Sequence, residues 1–373
     1  MYWVLLSLYI LFFLLIFINI NAKKYIFFIV ITLSILAYNF DPIYVYGFGD
    51  NYYTDLIRIF NEIESVRQLN DEYLYESAPL SKIYISLFAI LNDNNLLPFF
   101  TCIFVYSIGL YSIYKIGKKS KCSNRLILCS IFMSVSLYNY LMVITNIRYL
   151  LALTIFFVIL YLDLVCKKRI YCIGYIIDIL FHPGIIILLI IRFLTLKNIK
   201  NSVMILFMMY ICFNFFLDDI FNILINISNV FFSGLQSKML IYRDIGNFEK
   251  PTMSFYIFSI IQLSILSIVI YDIKKYIKVN YFTSYKYFIN IGILIVIISV
   301  MMLSNYQLLY RITAILYLYL PVIAMLDVMN LRIQRKKYLM VSRYIIFGIL
   351  IFISCIFYFG QEYGYNILMF SNK

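Results

Sequence analysis

Apolar runs close to the length needed to cross a ~30 Å hydrocarbon layer recur from one end of this chain to the other. They occupy roughly residues 2–20, 25–39, 95–114, 126–142, 148–165, 201–217, 253–271, 287–304, 308–326 and 344–360. Lipid offers the backbone no hydrogen bonds, so such runs must be helices that satisfy their own N–H and C=O groups. Composition agrees: 64% of the 373 residues are hydrophobic and 13% charged, where soluble domains average nearer half and a quarter. The expected fold is all-α: a polytopic integral membrane protein of about ten full transmembrane helices, forming one membrane domain over residues 1–373. The run from Tyr2 to Ile20 lacks a basic start and a small-residue cleavage site, so it reads as a retained span rather than a removed signal peptide.

Two further apolar stretches are ambiguous. Residues 77–91 are short and carry Lys82, and residues 170–194 are interrupted by His182-Pro183-Gly184. If neither crosses completely, 22 of the 31 basic residues fall on one side, in clusters around 23–24, 115–125, 167–169, 192–200, 274–286 and 332–343. Basic residues gather on cytoplasmic loops, so this side is expected to be the inner one, with 14 of the 18 acids outside. If both stretches crossed, the clusters at 115–125 and 166–169 would face outward and Arg148 would move to the cytoplasmic face. The one-sided arrangement is preferred. It makes 77–91 an amphipathic or re-entrant segment on the outer side, and 170–194 a hairpin or broken helix entered from within. The outer-side segments are then 40–94 and 218–252. The net charge of +13 is explained by this asymmetry and requires no nucleic acid.

Several chemistries lack their sequence marks. No Walker loop, GxGxxG, HExxH or GxSxG pattern is present, which removes support for ATP-driven transport and for serine or zinc hydrolysis. The seven cysteines are scattered, with no CxxC or Cys/His metal spacing. No metal or other cofactor is expected.

What remains is a small set of polar residues beside apolar runs. Arg148, in Asn146-Ile147-Arg148, opens an otherwise apolar segment. A guanidinium near a bilayer core costs on the order of 2.5–3.5 kcal/mol. It reads either as a helix-end arginine reaching for headgroups or as an anion clamp, since its fork matches a phosphate. Arg311 stands alone at the expected start of another span, on the same side. His182 is the only histidine, either a satisfied interior side chain or a general base, because its ordinary pKa of about 6.5 suits proton removal at neutral pH. Asp178, one helical turn earlier, could orient the ring or pair with Lys167 or Lys168. In the outer segment, Asp50 and Tyr53 lie in a glycine-hinged aromatic turn, and Glu76 precedes Pro79. Carboxylates and rings of this kind suit sugars, though solvated loops and interfacial tyrosines look similar.

In order and spacing, Gly47 to Tyr53, Glu76 to Leu80, Asn146-Ile147-Arg148 with Leu151-Ala152, Phe181-His182 and the isolated Arg311 resemble one family. It is the EpsG-like branch of the Wzy-type O-antigen and capsular polysaccharide polymerases. The likeness covers residues 40–195 and the region around 311. It departs where Asp50-Asn51-Tyr52-Tyr53 spreads the usual Asp-Tyr pair, where Tyr149 follows the arginine, and where Pro183-Gly184 follows the histidine. The resemblance implies a metal-independent glycosyltransferase of the bacterial cytoplasmic membrane, with its active site on the outer side. It would join undecaprenyl-pyrophosphate-linked oligosaccharide repeats into O-antigen, capsule or exopolysaccharide, alongside a flippase and a chain-length regulator. Arg148 and Arg311 would neutralise the pyrophosphate and His182 would act as base. Asp50, Tyr53, Asn146 and Glu76 would contact substrate. An O-antigen ligase and a lipid-linked oligosaccharide flippase are the alternatives.

Overall fold

The computed structural model describes residues 2–40, 55–68, 78–138, 140–167, 171–196, 199–215, 253–276, 285–303 and 306–361. All regular structure among them is helical. The chain runs through α1 (Tyr2–Phe17), α2 (Ala22–Tyr38), α3 (Asp55–Arg67), α4 (Pro79–Ile90), α5 (Leu96–Lys119), α6 (Asn124–Leu137), α7 (Tyr140–Thr145) and α8 (Ile147–Leu164). It continues through α9 (Cys172–Phe181), a 3₁₀ turn (Pro183–Ile185), α10 (Ile186–Leu194), α11 (Ile199–Phe215) and α12 (Met253–Tyr276). The last elements are α13 (Lys286–Met301), α14 (Tyr306–Ala314), α15 (Leu316–Ile333) and α16 (Lys337–Gln361). Among the described residues, five helical stretches are long and apolar enough to cross a membrane: Leu96–Lys119, Ile147–Leu164, Tyr256–Lys275, Leu316–Ile333 and Lys337–Cys355. Shorter apolar helices include Val4–Phe17, Asn124–Leu137 and Lys286–Met301. This is a helical membrane protein.

A helix that is apolar all round belongs in an interior. Accordingly α8 and α15 are enclosed, with 83% of their most apolar stretch buried, against 22% for the peripheral α16. α15 packs with α5, α6 and α12, and α8 packs with α5 and α9. Phe27, Ile345, Phe352 and other large apolar side chains point outward, an arrangement suited to lipid tails. Hydroxyls inside the helices bond backward to their own turn: Thr101 to Leu97 O, Ser130 to Leu126 O and Thr154 to Leu150 O, at 2.8–2.9 Å. That leaves little polarity to satisfy elsewhere.

Two expected spans are interrupted. The run 126–142 splits where Tyr138 leaves the helix with φ −68° and ψ 108°, placing its ring against Tyr317 and its hydroxyl 3.2 Å from Thr154 Oγ1. The run 308–326 splits between α14 and α15. Pro321 lies inside α15 and cannot donate to the Tyr317 carbonyl four residues back. Ser134 of α6 supplies a hydrogen bond to that oxygen at 2.9 Å. Arg311 therefore belongs to the short α14, not to the start of a long helix.

Several basic loops meet at one end. Asn124 Nδ2 donates to Asn19 Oδ1 at 3.0 Å and to Ile20 O at 2.9 Å. Lys119 Nζ lies 3.5 Å from Cys166 Sγ, and Ser120 Oγ lies 2.9 Å from the Tyr285 hydroxyl. The loops near 20, 120, 166 and 285 thus share one end of the bundle, which the two-crossing topology would have divided. At the other end, Tyr38 donates to Asp93 Oδ2 (2.9 Å), Asn94 to Glu64 (3.0 Å) and Arg67 to Ala89 O (3.0 Å).

Residues 171–194 form a broken-helix hairpin. At its base, Tyr175 of α9 and Arg192 of α10 both bond Asp163 Oδ2, at 3.0 and 2.5 Å, beside the C-terminal end of α8. Both arms therefore start and finish at the same end of α8. A Cβ at Gly174 would lie 2.5 Å from Ile159 Cδ1, so only glycine lets α9 sit this close. The other ambiguous stretch, 77–91, forms α4, about 18 Å long at ~1.5 Å per residue. Its Ser81 hydroxyl donates to the Phe181 carbonyl, and its Tyr84 ring meets the Phe181 ring at 6.1 Å. The two short elements thus meet at the tip of the hairpin.

Candidate functional site

That tip is built by local rules. Pro183 disfavours helix at the residue before it, and His182 is accordingly extended, with φ −151° and ψ 108°. Its backbone N–H closes α9 on Asp178 O at 2.8 Å. Its Nδ1 accepts the Gly184 N–H at 3.1 Å, so the imidazole caps the 3₁₀ turn that follows. Gly184 leaves room that no other residue would. A Cβ there would lie 2.8 Å from Arg311 Nη1, 2.8 Å from His182 Cε1 and 2.9 Å from His182 Nδ1. The guanidinium of α14 and the imidazole of the hairpin therefore meet at one glycine.

The start of α8 completes the group. The Tyr149 ring stands edge-on to His182, with centroids 5.2 Å apart, and its hydroxyl donates to the Arg311 carbonyl. The Tyr310 ring lies 6.4 Å from that of Tyr149, and its hydroxyl donates to Met142 Sδ at 3.0 Å. Asn146, at the N-cap position of α8, points its amide to the Tyr310 hydroxyl at a long 3.5 Å. Arg148 occupies the first turn of α8, 9% exposed, next to the tyrosine that holds the Arg311 backbone. The first N–H groups of a helix carry the positive end of its dipole, which adds to the field of the two arginines.

Of the residues expected from sequence, His182 and Arg311 are brought side by side, while Arg148 and Asn146 stand at the helix end that touches both. Asp50, Tyr53 and Glu76, and the segment 218–252, lie outside the described residues. Asp178 neither orients the His182 ring nor pairs with Lys167, and Lys168 lies outside the described residues. Asp178 is fully buried, and among the described residues neither carboxylate oxygen has a hydrogen-bond partner. Tyr149, Tyr310 and Gly184 carry no functional role in the sequence reading: Tyr149 and Gly184 enter it only as departures beside Arg148 and His182, and tyrosine is too common in this chain to stand out.

Away from the tip lie buried charges that look sparse in the sequence. Arg343 of α16 bonds Asp272 of α12 and Asp327 of α15, the latter at 3.1 Å. With Asp163–Arg192, they tie helices together near the basic end. Among the described residues no three His, Cys, Asp or Glu side chains gather as a metal site.

Chemically, the tip offers a planar guanidinium, an imidazole whose Nδ1 accepts the Gly184 N–H, an arginine-bearing helix start and two phenol rings. Such a set suits a multiply charged oxyanion attached to something with apolar faces. No family model, no curated protein and no solved structure matches this chain.

Proposed function

We propose that this protein is a membrane glycosyltransferase that polymerises lipid-pyrophosphate-linked oligosaccharide repeats on the outer side of the bacterial cytoplasmic membrane. The observation that carries this reading is the convergence of Arg311, His182 and the Arg148 end of α8 at the tip of a broken-helix hairpin. These three stretches are distant in sequence. Irregular backbone at membrane depth is tolerated where it is buried in protein or lines a cavity, and costly cations there mark a binding path. The resemblance of the same residues to the Wzy-type polymerases supplies the substrate class. On this reading about ten helices cross the membrane, and the basic end is cytoplasmic.

In the reaction, the acceptor's hydroxyl oxygen bonds to the anomeric carbon of the donor glycan. The bond from that carbon to the lipid diphosphate breaks, and the hydroxyl proton passes to the departing diphosphate. Negative charge grows on the leaving group as this bond breaks. Arg148 and Arg311, already fixed in place, stabilise it more in the transition state than in the ground state. Asp50, Tyr53 and Glu76 are proposed as contacts to the glycans.

Reconstitution tests this. The purified protein in liposomes, given a lipid-diphosphate-linked repeat, should yield a ladder of polymer. Arg148→Ala and Arg311→Ala should abolish the ladder at wild-type protein abundance. A ladder of unchanged length and yield in both variants would overturn the reading. A second reading, a lipid-linked glycan transporter, draws on the buried Asp178 and Asp327 and the half-buried Asp163 and Asp272. It expects protein-dependent movement of the intact substrate across the liposome membrane and no polymer.

A further inference from the structure

At the basic end of the bundle, three lysines from two helices gather on a pair of tyrosines. The rings of Tyr111 and Tyr114 in α5 stack with centroids 5.6 Å apart and planes 28° apart. Lys115 Nζ stands 5.2 Å from the centre of the Tyr111 ring. Lys118 Nζ, and Lys23 Nζ from α2, each stand 6.0 Å from the centre of the Tyr114 ring. All three lysines are exposed, and among the described residues none of them has a carboxylate partner. Ring faces attract ammonium groups at such distances but do not cancel their charge. Lys115 and Lys118 repel each other, three residues apart on one helix. Lys23 stands in the first turn of α2, where the helix dipole disfavours a cation. An anion at this spot relieves both repulsions.

We infer that Lys23, Lys115 and Lys118 bind the headgroup of an anionic phospholipid whose acyl chains run along α2 and α5. The surface beyond the lysines selects a lipid over a soluble anion. The two helices pack side by side and run in opposite directions, with Tyr38 against Phe99 at the far end. On α5, the exposed Tyr111 and Phe104 continue the face that carries Lys115; on α2, the exposed Phe27 and Ile31 follow Lys23 at successive turns. Both apolar stripes therefore lead away from the lysines. From Lys115 to Phe104 is about 16 Å of helix, roughly one leaflet of a ~30 Å hydrocarbon core. Tyrosines beside lysines at a helix end suit the headgroup level, and basic clusters there attract anionic headgroups. The site needs only the membrane setting, and it stands apart from the hairpin tip and from the polymerase reading.

Native mass spectrometry of the full chain in detergent, with dioleoyl phosphatidylglycerol as probe, tests the site. Each lysine near an anionic surface contributes roughly fivefold in affinity, so the triple variant Lys23→Gln/Lys115→Gln/Lys118→Gln should bind about a hundredfold more weakly. A control removing equal charge from other basic loops, Lys167→Gln/Lys274→Gln/Lys337→Gln, should bind like wild type. Since the lysines are exposed, both variants should keep the wild-type thermal midpoint in detergent alone. The probe should raise that midpoint in wild type and control but not in the triple variant. Two comparisons need the wild type only. Dioleoyl phosphatidylcholine, with the same chains and no net charge, should bind about tenfold more weakly or worse, and millimolar inorganic phosphate should leave the bound phosphatidylglycerol in place. Equal affinity in wild type and the triple variant, or an equal loss in the control, would overturn the site. Phosphatidylcholine binding as tightly as phosphatidylglycerol would overturn the role of the lysines. Displacement by inorganic phosphate would overturn the lipid and assign the lysines to a soluble anion.

Discussion

Gly184 makes the sharpest single-residue test of the tip, because the atoms its side chain would strike are the ones proposed to hold substrate. An added methyl would push aside Arg311 Nη1, the far end of a flexible side chain, and would crowd the His182 ring at Cε1 and Nδ1. Displacing a catalytic group by even ~1 Å can cost on the order of a hundredfold in rate. Gly184→Ala should therefore lower polymer yield by tenfold or more while shifting the thermal midpoint by no more than a few degrees. Equal polymer yield would mean that Arg311 works from somewhere else. The sequence exposes Arg148, His182 and Arg311 because charged or titratable groups are rare in apolar runs. It hides Gly184, since nothing local to a Pro-Gly pair shows that an arginine 127 positions onward will lie against it. It hides the cap that the His182 Nδ1 makes on the Gly184 N–H for the same reason, as that depends on how the turn folds.

Among the elements, hydropathy locates most of the helices but not their interruptions. Tyr138 and Ile315 are apolar enough to pass unnoticed inside a span, yet both sit at breaks, one turned out to fill space between α8 and α15 and the other between two short-range helical segments. The cause is tertiary. Tyr138 meets Thr154 and Tyr317, and the Tyr317 carbonyl, deprived of a donor by Pro321, takes one from Ser134. This last bond predicts a coupled pair. Ser134→Ala leaves a carbonyl in a dry interior without its donor and should cost about 1–3 kcal/mol. Pro321→Ala restores an N–H four residues beyond Tyr317, so the serine should matter less in that background. Chemical or thermal unfolding of the four proteins gives the coupling energy. Strictly additive losses would show that Ser134 and Pro321 do not share the Tyr317 carbonyl.

For the molecule as a whole, charge placement and packing answer the same question by independent routes. Counting basic residues favours an arrangement in which 77–91 and 170–194 stop short of crossing, and the helix ends meet accordingly. The loop at Asn19 and Ile20 touches Asn124, and the hairpin is tied at its base by Asp163 to Tyr175 and Arg192. The four acids that the sequence reading leaves off the outer side, Asp163, Asp178, Asp272 and Asp327, are each buried or paired within the helices. Asp163, Asp272 and Asp327 each bond an arginine and tie helices together, while Arg148 and Arg311 stand at the opposite end of α8. Cysteine scanning tests this division directly. In a cysteine-free background that retains expression, single cysteines replacing Lys24, Lys121 and Lys167 should all react with a membrane-impermeant maleimide only after the cells are permeabilised. A cysteine replacing Asn94, beside the Glu64–Arg67 pair at the other end, should react in intact cells. Labelling of positions 121 and 167 from outside, with 24 protected, is the pattern that two full extra crossings require. It would move Arg148 to the inner face, away from any donor glycan displayed outside, and the polymerase reading would fail with it.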